Sequence, residues 1–560
     1  MSVSSVSISS STGQTSSSVD RSGLTEEEAV TDELLPYTDQ IDTIETSIDT
    51  NETKLDYYQY MQSLLLSLED SVDSLSSPTD GTTDVFSERI ATLSSTGSTS
   101  ASSIMSVSAA TSSATGTHTI VVSQLAAAER ITSGSQTSES AALGLSGSFT
   151  LSEAGNSAAT ISITANMSLS DIETAINDES SSTGVTASII AVSSTSYQLL
   201  LTANDTDQAI EMSTLSGSSL STLGLTEADG STAADILQSA LPAMLSVDGI
   251  SGIERSTNDI DDILSGVTLN LTQADSGTTI TMDITPDTDS VATAISDFVT
   301  AYNSWRSFVD LNQETDSSGG AGSSAILFGD STLRDTSTEI DDAITSFIDG
   351  TSLSAIGISL NSSNELSINS STLDDALENN FSLVQTLFEY QATTSSGDLS
   401  LVSHVDATYS GSFTLNITTD SAGNISGVSG EDASGNAVDF TYSGNTITGA
   451  SGTAYAGLTF QFNGTSSESI GVSASQGVAD QLMSVAGAAG NTASGTVEEV
   501  IQGLQSEDTQ DQQQVTDLQS EADDYETFLL DQYGTLEAQI SEANMTQSIL
   551  QEMMSSSNSS

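Results

Sequence analysis

Cysteine is absent from all 560 residues. Disulfide frameworks, thiolate nucleophiles and cysteine-ligated metals are thereby excluded, so an extracellular form would be held together by packing or by assembly. Cations are nearly absent too. Seven Lys plus Arg stand against 77 Asp plus Glu, a formal net charge of −70, and Lys54 is the sole lysine. No Lys or Arg follows Arg334. Charged residues make up only 15% of the chain, so the anomaly is a shortage of cations rather than a surplus of acids. Nucleic acid and anionic membranes are poor partners for such a field. The acidity reads as a solubilising surface, with life in acid or high salt as the sharper alternative. Long apolar runs are missing as well: none approaches the ~18 residues of a membrane span, so no membrane insertion is expected. The start, Met1 to Gly23, is Ser-rich and lacks the charged and apolar regions of a cleaved signal peptide. Either the protein stays inside the cell, or it leaves by a route that reads a flexible, uncleaved start.

What is present is periodicity. Leu34, Ile41, Ile48 and Leu55 fall seven apart, with Tyr37, Ile44 and Tyr58 in the alternate slot. After a shift, Leu65, Leu68, Val72 and Leu75 carry the stripe onward to Ser76-Ser77-Pro78. Such three-four spacing puts a narrow apolar seam on a helix that a partner helix must cover. Pro36 belongs in a first turn or marks a break. The far end mirrors this pattern. Val515, Leu518, Ala522, Tyr525 and Leu529 keep three-four steps, Tyr533 arrives as a stutter, and Leu536 and Ile540 resume. Between Leu504 and Met545 there are 11 acids and no cation. Like charges at i,i+4 cost roughly 0.2–0.5 kcal/mol each, whereas burying a large seam residue returns roughly 1.5–3 kcal/mol. The terminal helices should therefore form only if they shelter each other or meet neighbouring subunits.

The middle alternates as strands: His118–Ser123, Phe149–Leu151, Thr160–Thr164, Val185–Ile190 and Tyr197–Leu201. Gln124–Arg130 looks helical, and Leu169–Asn177 is a helix with Ser168 or Ser170 as N-cap. Val267–Leu271 and Thr279–Ile284 read as a paired hairpin. Val291–Phe308 and Leu333–Phe347 read as amphipathic helices. A second β stretch, near Ser400 to Ser475, is punctuated by Gly423-Asn424 and Gly444-Asn445 turns.

Little of this carries chemistry. His118 and His404 lie at or near strand starts and read as exposed strand residues rather than as a triad or metal site. Lys54 lacks a phosphate-cradling glycine loop. Asp205-Thr-Asp207 and Asp287-Thr-Asp289 lack the spacing of a calcium loop and read as turn aspartates. Trp305, the only tryptophan, sits on a helix stripe and reads as core. The expectation is no catalytic, cofactor-binding or metal residue, and hence no enzyme.

Collinear segments then point to a family. Thr119–Arg130, Leu245–Ile250, Asn258–Ile263, Gly266–Leu271, Phe298–Asn303, Gly329–Arg334, Gly357–Leu360 and Leu366–Asn369, followed by the Leu373–Leu377 helix, resemble the flagellar cap family, also called flagellar hook-associated protein 2. Leu169–Leu201 is similar to a small motif shared by flagellins and their hook-associated relatives. The resemblance spans roughly Leu24 to Leu550 in one order. It implies an α+β, multi-domain protein: a helical coiled-coil leg from both termini, a β-rich head and an inserted second β module. The expected division is 1–23 flexible export segment, 24–100 N-terminal leg helices, 101–240 β-rich head, 241–290 second β head segment, 291–399 helical and mixed core, 400–478 inserted β module, 479–554 C-terminal leg helices and 555–560 flexible tail. The resemblance further implies a closed ring of five or six copies at the flagellum tip, outside the cell. Flagellin, the filament or hook tip and an export chaperone would be its partners, and some relatives adhere to host surfaces. The near-absence of cations departs from the family and puts a salt-bridge account of ring contacts in doubt. The rival readings are another flagellar part, either flagellin or junction protein, and a glycan-binding surface adhesin.

Overall fold

A computed structural model describes residues 26–76, 84–227, 235–404 and 409–557. The expected export segment 1–23, the Ser77-Pro78 terminator and the last residues of the expected tail, 558–560, lie outside the described residues. The described chain is α+β and multi-domain. It divides into two units, one holding 84–291 and the other holding 26–76 with 292–557.

The 84–291 unit is built on two apolar cores. The first lies among a five-stranded sheet, ordered Arg89–Ser95, Ile280–Pro286, Gly116–Gln124, Ala243–Val247 and Ile250–Arg255, and a three-stranded sheet of Asp259–Leu264, Val267–Leu271 and Met105–Ala109. The expected hairpin between Val267–Leu271 and Thr279–Ile284 does not form. Val267–Leu271 pairs instead with Met105–Ala109 and Asp259–Leu264, while Ile280–Pro286 pairs with Arg89–Ser95 and Gly116–Gln124. Alternation fixes which face of a strand is buried and leaves the choice of neighbour to the whole chain. The Gln124–Arg130 helix is also overturned. Gln124 ends one strand and Arg130 begins another. Between them, Asn258 clamps the backbone of Ala126, accepting its N–H at 2.8 Å and donating to its carbonyl at 2.9 Å. An external amide thus takes the hydrogen bonds that a helix would have made.

The second core gathers Phe149, Leu151, Ile161, Leu169, Ile172, Ile176, Leu199 and Leu201. Here Leu169–Asn177 is helical and starts on Ser168, whose side chain accepts the Asp171 N–H while Asp171 accepts the Ser168 N–H. This capping box satisfies two otherwise orphaned donors.

In the other unit, helix Thr288–Gln313 buries Ile295, Phe298, Tyr302, Trp305 and Val309. Arg306 is buried beside them, bound to Asp310 at 2.6 Å and reaching Asp341 of helix Ser331–Thr345 at 3.5 Å. Residues 391–475 form two antiparallel sheets around Phe413, Leu415, Phe460, Phe462 and Ile470. Two of its turns repeat one device. Asp420 accepts the N–H groups of Ala422 and Asn424, and Asp432 those of Ser434 and Asn436, all at 2.8–2.9 Å. Gly423 (φ 87°) and Gly435 (φ 82°) take the left-handed step within each turn, which a side chain would strain. His404 proves to be the last residue of strand Leu399–His404, not near a start, and stacks on Tyr390 at 4.8 Å.

Candidate functional site

The two longest helices come from the two ends of the chain, Glu26–Asp73 and Thr496–Ser557. Pro36 sits inside the first rather than at its start. An interior proline forfeits one backbone bond at a cost of ~3 kcal/mol, and the helix survives it where Leu34 and Tyr37 are packed on the partner helix. Val30 and Leu34 meet Leu529, with Tyr37, Ala522, Tyr525 and Tyr533 around them. Ile41 and Ile48 meet Val515, flanked by Ile44 and Leu518. Ascending numbers on one helix against descending numbers on the other make the pair antiparallel. Tyr37 and Tyr525 pack with ring centroids 6.0 Å apart. Higher up, Gln62 donates to Glu498 at 3.2 Å.

The structure distributes the remaining seam positions differently. Leu55 is half-buried, and Leu65, Leu68, Val72 and Leu75 are fully buried. Helix Val478–Gly490 packs along that part of the chain: a Cβ on Gly490 would stand 2.9 Å from Leu65 Cβ, so glycine permits the close approach. At the far end the apolar stripe outruns its cover. Leu529 is only 7% exposed, whereas Leu536 and Ile540 are about half exposed, at 49% and 50%. The exposed stripe continues through Met545, Ile549, Leu550, Met553 and Met554.

Apolar spacing did not reveal several polar anchors. The Tyr58 hydroxyl donates to Asp330 at 2.5 Å, and burial together with that carboxylate raises its pKa. Asn51 and Asp508 are buried on the facing helices, each seven residues from a seam apolar residue, Ile44 and Val515 respectively. Lys54, half-buried, lies three residues beyond Asn51.

Elsewhere the chemistry is sparse. His118 Nδ1 lies 2.8 Å from Asp248, whose carboxyl is held below the usual range by that contact and by the Thr119 N–H. Asp248 occupies a left-handed turn position (φ 51°), and hairpin geometry accounts for the pair. Among the described residues, no group of three or more His, Cys, Asp or Glu is placed to hold a metal ion, and no helix is long and apolar enough to cross a membrane. What the terminal pair presents is a covered seam that continues as an exposed apolar stripe.

Residues 240–545 match the family model described as flagellar hook-associated protein 2 C-terminus, and residues 22–129 match the corresponding N-terminus. Residues 148–205 match the flagellin hook IN motif. Among curated relatives, flagellar hook-associated protein 2 of Escherichia coli K12 is 32% identical over 310 residues, 52% of this chain and 65% of that protein. The chain therefore aligns with a little under two thirds of that relative's length. The Salmonella typhimurium relative is 35% identical over 179 residues, 31% of this chain and 37% of its own length. Among solved structures, domains D1–D3 of the E. coli flagellar cap protein are 30% identical, cover 60% of this chain and 90% of theirs, and give a TM-score of 0.46.

Proposed function

Since the chain belongs to the flagellar hook-associated protein 2 family, we propose that it caps the distal end of a bacterial flagellum, outside the cell. In this reading copies of the chain close a ring of five or six at the filament tip. There they promote flagellin polymerisation and prevent the loss of flagellin monomers, and an export chaperone accompanies the chain before secretion. Closure matters, because a head-to-tail contact that fails to close would instead build an open fibre. The role is mechanical rather than enzymatic.

The observation that carries this reading is the stripe from Leu536 to Met554, which extends beyond the covered part of the terminal pair. A helix displaying such a face to water is an incomplete interface, and the end of a filament made of helical subunits would complete it. Leu536→Asp and Ile540→Asp alter exposed positions and should leave the fold intact. The expected outcome is loss of motility, with flagellin accumulating in the medium, scored by swimming plates and by immunoblot of culture supernatant. Normal filaments from both variants would sink the proposal. Purified protein that polymerises alone into long filaments would favour a flagellin-like role.

A further inference from the structure

Tyr37, Ile44, Asn51 and Tyr58 lie seven apart on the N-terminal helix, and Leu529, Ala522, Val515, Asp508 and Ile501 lie seven apart on the C-terminal helix. Each ladder is apolar or aromatic save for one member. Those two members are both buried, Asn51 at 6% exposure and Asp508 at 7%. They also fall at one level of the pair, bracketed by the Ile48 and Val515 contact on one side and the Gln62–Glu498 hydrogen bond on the other. Among the described residues, Asn51 Nδ2 and Asp508 Oδ1 have no hydrogen-bond partner, so this layer weakens the pair.

We propose that Asn51 and Asp508 form a polar layer that fixes the antiparallel register of the terminal helices. The reason is the cost of the alternatives. A slip of one heptad would set Asn51 against Val515 or Ile501, and Asp508 against Ile44 or Tyr58. Two apolar layers would then each bury a polar group, where the native register confines both groups to one level. A polar residue at a single seam position selects register and partner in this way, at a cost in stability. The inference rests on the helix pair alone and not on the cap reading, and its test reads register rather than motility.

The cysteine-free chain makes that test clean. Ile48→Cys with Val515→Cys reports the native register, and Ile48→Cys with Ala522→Cys, which pack in separate clusters of the native pair, reports a slip of one heptad. With the native layer, oxidation of the full-length protein should close only the first pair, within one chain. In the Asn51→Leu, Asp508→Leu background the slipped disulfide should appear, read on non-reducing gels and by peptide mapping. The exchanged layer, Asn51→Asp with Asp508→Asn, should restore the exclusive native pair. The proposal is overturned if the Leu, Leu protein, folded by circular dichroism, still closes only the native disulfide. Should that protein fail to fold, Asn51→Leu alone decides the matter. It leaves Asp508 unmatched and must yield the slipped product; its absence overturns the proposal equally.

Discussion

The 391–475 module and the terminal helix pair share one unit and the same cation-poor sequence, yet they solve burial in opposite ways. The module closes upon itself. Phe413 packs on Phe440 at 5.4 Å and on Tyr455 at 5.3 Å, and Phe460 and Phe462 are fully buried between its two sheets. Its turns carry their own carboxylate caps at Asp420 and Asp432, whose pKa values fall because hydrogen bonds favour the charged form, chiefly from backbone N–H groups at Asp420 and from the Asn436 side-chain amide and then its N–H at Asp432. The helix pair shelters a single narrow stripe, lines it with acids and leaves its far end open. What differs is whether the fold supplies enough apolar cover for itself.

The strongest way to break this contrast is an acid in the covered seam. Leu529→Asp should cost more than about 5 kcal/mol, a lost core side chain plus an unpaired buried charge. Hydrogen exchange should show the terminal pair opening while the module stays protected. Leu536→Asp, only seven residues on, should change that protection by less than about 0.5 kcal/mol. Equal effects from the two would erase the distinction between covered and open stripe. Phe460→Ala is the converse, an expected loss of about 3–5 kcal/mol confined to the module. It should appear as a lower-melting calorimetric transition with unchanged helical circular dichroism.

Smaller effects sharpen the same contrast. Glu507 and Asp511, and Asp517 and Glu521, are like-charge neighbours at i,i+4 on the C-terminal helix. Raising salt should stabilise the pair by up to about 1 kcal/mol through screening, with little change in the module, as monitored by site-resolved exchange. Acid should single out the module. His404 is half-buried, stacked on the buried Tyr390, and its desolvation lowers its pKa. A depressed value means that folding favours the neutral ring. The associated stability is present above the unfolded-state pKa, near 6.5, and is lost as pH falls through the folded value. His404→Phe should flatten that part of the module's melting profile.

Legibility in the sequence followed the same divide. Helical stripes could be read because three-four spacing is a local property. Helix Thr288–Gln313, the Ser168 cap and the two terminal helices are all visible as patterns. Choice of partner was not local. Nothing in Leu65–Leu75 says that helix Val478–Gly490 lies there, and Val267–Leu271 gives no sign of its distant neighbour Met105–Ala109. The Ala-rich stretch before Glu129 reads as helix until Asn258 takes its backbone bonds. Asn51 and Asp508 are invisible to a pattern defined by apolar residues alone. The signal was nonetheless present as two gaps in otherwise regular seven-residue ladders.

Lys54 has a use that follows from its isolation. Apart from the α-amino group at the start of the chain, it carries the only primary amine, and it lies on the N-terminal helix between Asn51 and Leu55. An amine-directed fluorophore would attach at one internal point, beside the layer proposed to set the register. The native chain thus offers a spectroscopic reporter of this helix pair without any substitution.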